Sequence, residues 1–458
     1  MASLQRSQSD ISSPRSQLLF AMGSAGFNLM ERLIVLYVPF YFLPPAEYGV
    51  PNLVPEHRFL GVATVLGMAL VLGRIIDAFA DPIIAALSDR SDSPVGRRKV
   101  FLYYSTLPLA LCGALIFFPP FPGQTSTWNG VWLGIILAFF YIAYTGYVNP
   151  YLALISDLGH TEELRLKLSL RVAILGMIAT LAVTAGIPEF VSWLGSSRGM
   201  ELRTSYQLSV TIFAVSAALL LYIATLGFRE KALPKHLHTE ERGTWASLRD
   251  TFSNITFRTY VLGEMLLQFA LNLMTMGLLY YIVVIFRRPQ SFMTVLAGAM
   301  AALAAGVFPF VGRAALRFGK RNLFIVGLGV MIICSLTLFL LSFNMDGFMH
   351  YLGVMTLAFM GVPLAIFSIL ISPAIAQMAR RHTIKTGISK EAMFFAARAI
   401  PVKFVIAAAG ATFSYLLAAF GKDIARPLGV QLSLLVIALS SLASLLVFSR
   451  LPDDRVDG

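Results

Sequence analysis

The sequence predicts an all-α polytopic membrane protein with twelve transmembrane helices in two six-helix halves. Three observations predict it. Of 458 residues, 57% are hydrophobic and only 13% are charged, whereas soluble domains carry about 25% charged residues. The apolar residues form runs of about 20 or more, the length a helix needs to cross a hydrocarbon core of about 30 Å. Lys and Arg gather between alternate runs. This composition excludes a water-soluble enzyme, and it excludes disorder, which requires low hydrophobicity. A net charge of +12 on so apolar a chain points to an anionic lipid surface rather than to nucleic acid. A β-barrel would show short alternating segments, and these runs are long and unbroken.

Residues 1–16 are polar, Ser- and Arg-rich, and read as a cytoplasmic tail. They contain no short apolar run ending in a small-residue cleavage site, so the first apolar helix serves as the membrane address. Spans are expected near 17–43, 60–88, 99–119, 129–156, 168–195 and 205–228, which make up an amino-terminal half over 17–228. A basic central loop over 229–257 holds Pro234, His236, His238 and Gly243. The carboxy-terminal half, 258–450, carries spans near 258–286, 292–316, 322–343, 349–379, 393–420 and 427–450, and 451–458 form a second tail. Gly and Pro inside several spans are tolerated in lipid when neighbours re-satisfy the freed carbonyls. With the amino terminus inside, 24 of the 36 basic residues fall on the cytoplasmic side and seven outside: Arg58, Arg198, Arg203, Arg287, Arg288, Lys422 and Arg426. That asymmetry places both termini in the cytoplasm.

The two halves carry related turns between their second and third spans, DRSDSPVGRRK at Asp89–Lys99 and LRFGKRN at Leu316–Asn322. Each is a Gly-centred turn followed by cations, the sign of an internal repeat, although the second copy lacks the acidic residues of the first. Cys112 and Cys334 lie inside apolar runs and read as packing residues. Trp128, Trp132 and Trp193 stand near span ends as interface anchors. The His236–His238 pair alone is a poor metal site. With no phosphate-cradling Gly loop, HExxH or nucleophile elbow, neither an enzyme nor a cofactor is expected.

Ionisable groups inside apolar helices are the informative residues, because each costs about 2.5–3.5 kcal/mol at the bilayer centre on insertion scales. The second span reads GRIIDAFADPIIAALSDR, in which Arg74, Asp77 and Asp81 are spaced by three and then four and share one helix face. That stripe belongs in an enclosed cavity. Two carboxylates one turn apart repel when both are ionised, and a proton or small hard cation relieves the repulsion. The competing reading is an Arg–Asp pair that locks helices together. Lys403 stands alone in the apolar stretch AARAIPVKFVIAAAG and requires an anionic partner. Arg171, near the start of the fifth span, joins such a network or snorkels to the interface. Glu31, Arg32 and Asn28 fall in the first helix. Glu264, Gln268 and Asn272 recur every four residues, as a cavity lining or as interhelical hydrogen bonds.

The run from Arg74 through Asp77 to Asp81-Pro82, with Asp89-Arg90 and Gly96-Arg97-Arg98-Lys99, resembles the signature of the glycoside–pentoside–hexuronide:cation symporters. These melibiose permease-like proteins belong to the major facilitator superfamily. Tyr144-Thr145, Asn149-Pro150-Tyr151, Arg171 and Lys403 extend the similarity. The resemblance implies a coupling-cation site at Asp77, Asp81 and Thr145, and a charged network of Arg74, Arg171 and Lys403. Where sodium users of the family often have an Asn ligand, this chain has Ala80, which favours H⁺ over Na⁺. Where the family grips sugar with acidic residues and a Trp, this chain has Asn28, Val148 and Leu152. The expected substrate cavity is Asn28, Tyr144, Val148, Tyr151, Leu152, Glu264, Gln268 and Asn272. The implied function is symport of a small organic solute, a sugar or glycoside among the candidates, coupled to H⁺ or Na⁺. A lysolipid or other amphipathic cargo is the alternative, and a non-transporting scaffold or receptor the third reading. The expected setting is the inner or plasma membrane, with the chain a monomer whose partners are the bilayer and its solute.

Overall fold

A computed structural model describes residues 13–59, 61, 63–158, 161–228, 230, 251–386 and 391–451. The central loop with His236 and His238, and most of both tails, lie outside the described residues. Six helices lead up to the central loop: α1 (Pro14–Phe42), α2 (Val65–Arg90), α3 (Lys99–Leu115), α4 (Thr127–Leu158), α5 (Glu162–Arg198) and α6 (Leu202–Leu226). After it come α7 (Ile255–Tyr280), α8 (Phe292–Phe318), α9 (Lys320–Leu341), α10 (Phe348–Phe359), α11 (Gly361–Thr386), α12 (Glu391–Phe420) and α13 (Leu428–Phe448). The described strands are two-residue pieces, Arg58–Phe59 and Ala63–Thr64, paired antiparallel.

Among the described residues, ten helical stretches are long and apolar enough to cross a membrane. The other two spans fall short for different reasons. α3 has only 17 residues. Every 18-residue stretch of α2 contains Arg74, Asp77 and Asp81 together, so it is the charge that sets α2 apart. The span expected over 349–379 is broken at Met360 into α10 and α11. Pro363 has no N–H for the carbonyl of Phe359, and Gly361 is pressed against the backbone of Met300 on α8, which leaves no room for a Cβ.

The chain divides into two compact units. The first holds α1, most of α2, and α3–α6; the second holds α7–α13 together with Pro45–Glu47 and Glu56–Gly67. Within the first, α1 packs on α5 and α6, and α3 packs on α4 and α6. Within the second, α7 packs on α12 and α13, and α9 packs on α11 and α13. The same pairing therefore recurs in each unit, as the paired turns suggested. The first turn of α2 and the segment before it are fastened inside the second unit: Lys422 pairs with Glu56 at 2.5 Å, and Thr64 and Ser414 hydroxyls meet at 2.6 Å.

Local chemistry follows the bilayer's demand that every buried polar group be satisfied. Ser13 caps α1 by accepting from the amide of Ser16 at 3.1 Å, with Pro14 in the first turn where no donor is needed. Pro188 inside α5 leaves the carbonyl of Thr184 without its helical donor, and the buried Tyr37 hydroxyl donates to the Val183 and Thr184 carbonyls at 2.8 and 3.0 Å. A Cβ at Gly23 would fall 2.5 Å from the Tyr151 ring, so only glycine lets α1 approach α4 this closely. On α6, Leu208, Ile212, Val215, Leu219, Ile223 and Leu226 form one exposed row at helical spacing, a surface for acyl chains. Cys112 and Cys334 are free thiols, Cys334 buried. Trp128 and Trp193 are exposed near helix ends, and Trp132 Nε1 donates to the Leu115 carbonyl at 3.1 Å.

Candidate functional site

The α2 stripe meets α1 and α4 inside the first unit. Arg74 and Asp77 are buried, and Asp81, one turn further on, is partly exposed. Arg74 Nη1 lies 3.5 Å from Asp77 Oδ2 and Nη2 lies 3.4 Å from Glu31 Oε1 on α1, so one guanidinium is shared by two carboxylates. Its face rests on the Tyr141 ring, 4.6 Å from the centroid. Tyr144 donates its hydroxyl to Glu31 Oε2 at 2.9 Å.

Thr145 joins the two aspartates. Its Oγ1 is 2.8 Å from Asp77 Oδ1 and 3.3 Å from Asp81 Oδ1. A hydroxyl has one proton, so it serves one carboxylate at a time and offers its lone pairs beside the other. Asn149 Nδ2 donates to Asp81 Oδ1 at 3.0 Å. Asp81 and Asn149 each precede a proline within their helix, Pro82 and Pro150. Each proline removes a helical hydrogen bond beside the acidic pair and concentrates carbonyl oxygen there. The result is an oxygen-rich nest of two carboxylates, a hydroxyl and an amide on facing helices, a donor set suited to a proton or a hard monovalent cation. Among the described residues no group of three or more His, Cys, Asp and Glu converges as a metal site.

The structure thus brings Arg74, Asp77, Asp81, Thr145 and Tyr144 together, and it adds Glu31, Tyr141 and Asn149. Glu31 was visible as a charge in an apolar helix, but nothing in the sequence ties it to Arg74, 43 residues away. Asn149 could have been found by noting that it lies one helical turn beyond Thr145, on the Thr145 face.

The remaining expected residues distribute as follows. On α4, Thr145, Val148, Asn149 and Leu152 share one face, and Leu152 is exposed on it. Tyr151, about 100° round the helix from Leu152, is wholly buried, stacked on Phe20 and donating to the Phe20 carbonyl at 2.9 Å. Asn28 Nδ2 donates to the Ser24 carbonyl at 2.8 Å. Arg171 Nη1 donates to the Pro14 carbonyl at the start of α1, at 2.8 Å.

In the second unit, Glu264 on α7 is completely buried, and the Arg398 guanidinium of α12 grips both its oxygens, Nε reaching Oε1 and Oε2 at 2.7 Å. Nη2 of Arg398 also bonds Oε1. Gln268 and Asn272 continue the stripe half-buried, Asn272 Nδ2 donating to the Gln268 carbonyl at 2.9 Å. The stripe therefore splits into an interhelical ion pair at Glu264 and two accessible amides. Lys403 lies half-buried on α12.

The nucleoside transporter NupG shares the fold, with a TM-score of 0.65 at 14% identity over 96% of this chain and 99% of that one. A bacterial homologue of the human lysosomal transporter Spinster superposes with a TM-score of 0.61 at 15% identity, over 96% and 95%. Among curated relatives, an uncharacterized symporter of Synechocystis sp. is 30% identical over 38% of this chain and 32% of its own length. The inner membrane symporter YicJ of Escherichia coli is 21% identical over 63% of this chain and 58% of its own length. The matches thus span from about a third to under two thirds of these relatives. The MFS/sugar transport protein family matches residues 19–449, nearly the whole chain. This chain, which has the fold of these solved structures, belongs to the MFS/sugar transport protein family.

Proposed function

We infer that the protein is a secondary active symporter that couples movement of a small organic solute to H⁺ or Na⁺. The observation that carries this reading is the pair of α2 carboxylates, Asp77 and Asp81, hinged on the single hydroxyl of Thr145. A cation bound there relieves their repulsion, and its different affinity for the outward- and inward-open states couples it to the solute, reciprocally. One charge moving through 100 mV supplies about 2.3 kcal/mol, enough for about fifty-fold accumulation. Arg74 holds Asp77 in place, and Arg171 and Lys403 are the further cations of the reading. The repeat halves, 17–228 and 258–450, are the bodies that alternate, and both termini face the cytoplasm.

Asn28, Tyr144, Val148 and Leu152 in the first unit, with Gln268 and Asn272 in the second, contact the solute. Tyr151 and Glu264 are buried behind them and hold the helices that present them. This set is amides, a phenol and aliphatic groups, so it suits a neutral solute with few hydroxyls better than a sugar that demands several acceptors. Nothing in this cycle calls for a catalytic step or a cofactor, and a monomer suffices. A lysolipid cargo is the second reading, favoured by Val148 and Leu152 standing where sugar carriers place polar and stacking groups.

The test is uptake into proteoliposomes under an imposed proton or sodium gradient, comparing wild type with Asp77→Asn. The gradient-driven accumulation of about fifty-fold should fall to near unity in the variant, while energy-independent exchange persists. Undiminished accumulation in Asp77→Asn sinks the symport reading. A response to pH but not to Na⁺ assigns the proton.

A further inference from the structure

Glu31 on α1 belongs neither to the expected cation set nor to the expected solute set, yet it meets Arg74 on the same terms as Asp77. Its Oε1 lies 3.4 Å from Arg74 Nη2, and Asp77 Oδ2 lies 3.5 Å from Nη1. A charge-assisted bond between guanidinium and carboxylate closes to about 2.7–2.9 Å. The guanidinium therefore stands between two carboxylates and closes fully on neither. Arg398 shows what an uncontested guanidinium does, its Nε lying 2.7 Å from both oxygens of Glu264.

One face of α4 fixes this arrangement. Tyr141, Tyr144 and Thr145 follow one another at i, i+3 and i+4, and each supports a different member of the trio. The Tyr141 ring carries the Arg74 guanidinium, 4.6 Å from its centroid. The Tyr144 hydroxyl donates to Glu31 Oε2 at 2.9 Å, which keeps Glu31 from following Arg74. The Thr145 hydroxyl is 2.8 Å from Asp77 Oδ1. The two acids differ in access, the Glu31 side chain being 35% exposed and that of Asp77 1%. Glu31 keeps its charge partly in water, whereas the charge of Asp77 is compensated by protein groups or by a bound cation.

We propose that Glu31 is a positioning residue that competes with Asp77 for Arg74 and so keeps Asp77 available to the coupling cation. The inference rests on the symport reading, in which Asp77 and Asp81 take that cation. Guanidinium and cation are rival counter-charges at Asp77, and the closer Arg74 sits, the less a cation gains by binding. Without the charge on Glu31, Arg74 closes on Asp77 as Arg398 closes on Glu264, and cation affinity falls. When a cation is bound, Arg74 turns to Glu31, and its own buried charge keeps a partner.

The test is thermal unfolding of the purified full-length protein in detergent, titrated with NaCl against choline chloride and, separately, with protons. The quantity read is the concentration of the stabilising cation, Na⁺ or H⁺, that gives half of the full Tm increment. Glu31→Gln keeps an oxygen for the Tyr144 hydroxyl and removes a charge from a partly exposed position, so its baseline Tm should stay within a few degrees of wild type. Its midpoint should rise about ten-fold, the effect of one strengthened charge-assisted bond. A residue that merely held α1 in place would lower the baseline Tm and leave the midpoint alone. In an Arg74→Gln background there is no guanidinium to redistribute, and Glu31→Gln should leave the midpoint unchanged. A shift that persists there overturns the proposal, because Glu31 then acts on the cation through its own charge. A wild type that responds to a cation and a Glu31→Gln variant with the same midpoint also overturn it, whether or not Arg74→Gln folds, and leave symport standing. A wild type that neither cation stabilises sinks the symport reading and this proposal together.

Discussion

Asp77 on α2 and Glu264 on α7 are both almost fully buried carboxylates facing a guanidinium, yet their surroundings differ in kind. Glu264 has an arginine of its own: Arg398 takes both oxygens in a bidentate grip. Asp77 shares Arg74 with Glu31 at longer distances, 3.5 and 3.4 Å, and shares Thr145 with Asp81. An exclusive bidentate pair closes its own charge balance. In a shared arrangement the Arg74 charge is divided between two carboxylates. On the proposed reading, the difference separates a charge that fastens helices from a charge that works.

That contrast can be broken by experiment, beginning where the effect is largest. Glu264→Gln leaves the partly buried Arg398 guanidinium without its counter-charge, an expected loss of about 3 kcal/mol. It should appear as a Tm drop in detergent of about 10 °C. The double variant Glu264→Leu/Arg398→Met should recover most of it, and uptake per folded molecule should stay near wild type. If Glu264→Gln instead abolishes coupling at unchanged Tm, the division between fastening and working charges is wrong.

Thr145→Val sharpens the other side of the comparison. It removes the hydroxyl shared by Asp77 and Asp81 at constant volume, and charge-assisted bonds of this kind contribute about 1.5–3 kcal/mol. The expected result is a cation requirement raised about ten-fold in uptake assays, with Tm lowered by only a few degrees. Glu230→Gln gives the smallest effect. It weakens the cap that the Glu230 carboxylate places on the Arg98 and Lys99 amides at the start of α3 by about 1 kcal/mol, a Tm change of about 2–4 °C with cation affinity unaltered.

Most of the architecture was legible in the chain, for a reason that particular segments display. A hydrocarbon slab sets a minimum apolar length, so the expected run at 292–316 became α8 over Phe292–Phe318 and that at 393–420 became α12 over Glu391–Phe420. The spacing of Arg74, Asp77 and Asp81 was legible too, because helical periodicity alone puts them on one face. The break at Met360 was not: Pro363 is tolerated in many transmembrane helices, and the approach of Gly361 to the Met300 backbone is a contact between elements 61 residues apart. The stripe Glu264–Gln268–Asn272 had two readings in sequence, because a cavity lining and an interhelical bond demand the same spacing. Arg398, 134 residues further on, is what separates them.

The amino-acid sequence alone determined that the chain is a bundle of long apolar helices, where most of those helices lie, and which helix carries acid at its centre. Those are consequences of water, hydrocarbon and helical pitch acting along one segment at a time. Only the tertiary structure decided the partners: Glu31 for Arg74, Asn149 for Asp81, and Arg398 for Glu264. Pairing is a distance between helices, and the strength of a buried charge interaction depends on that distance, on the local dielectric and on who else shares the counter-ion, none of which a linear spacing contains.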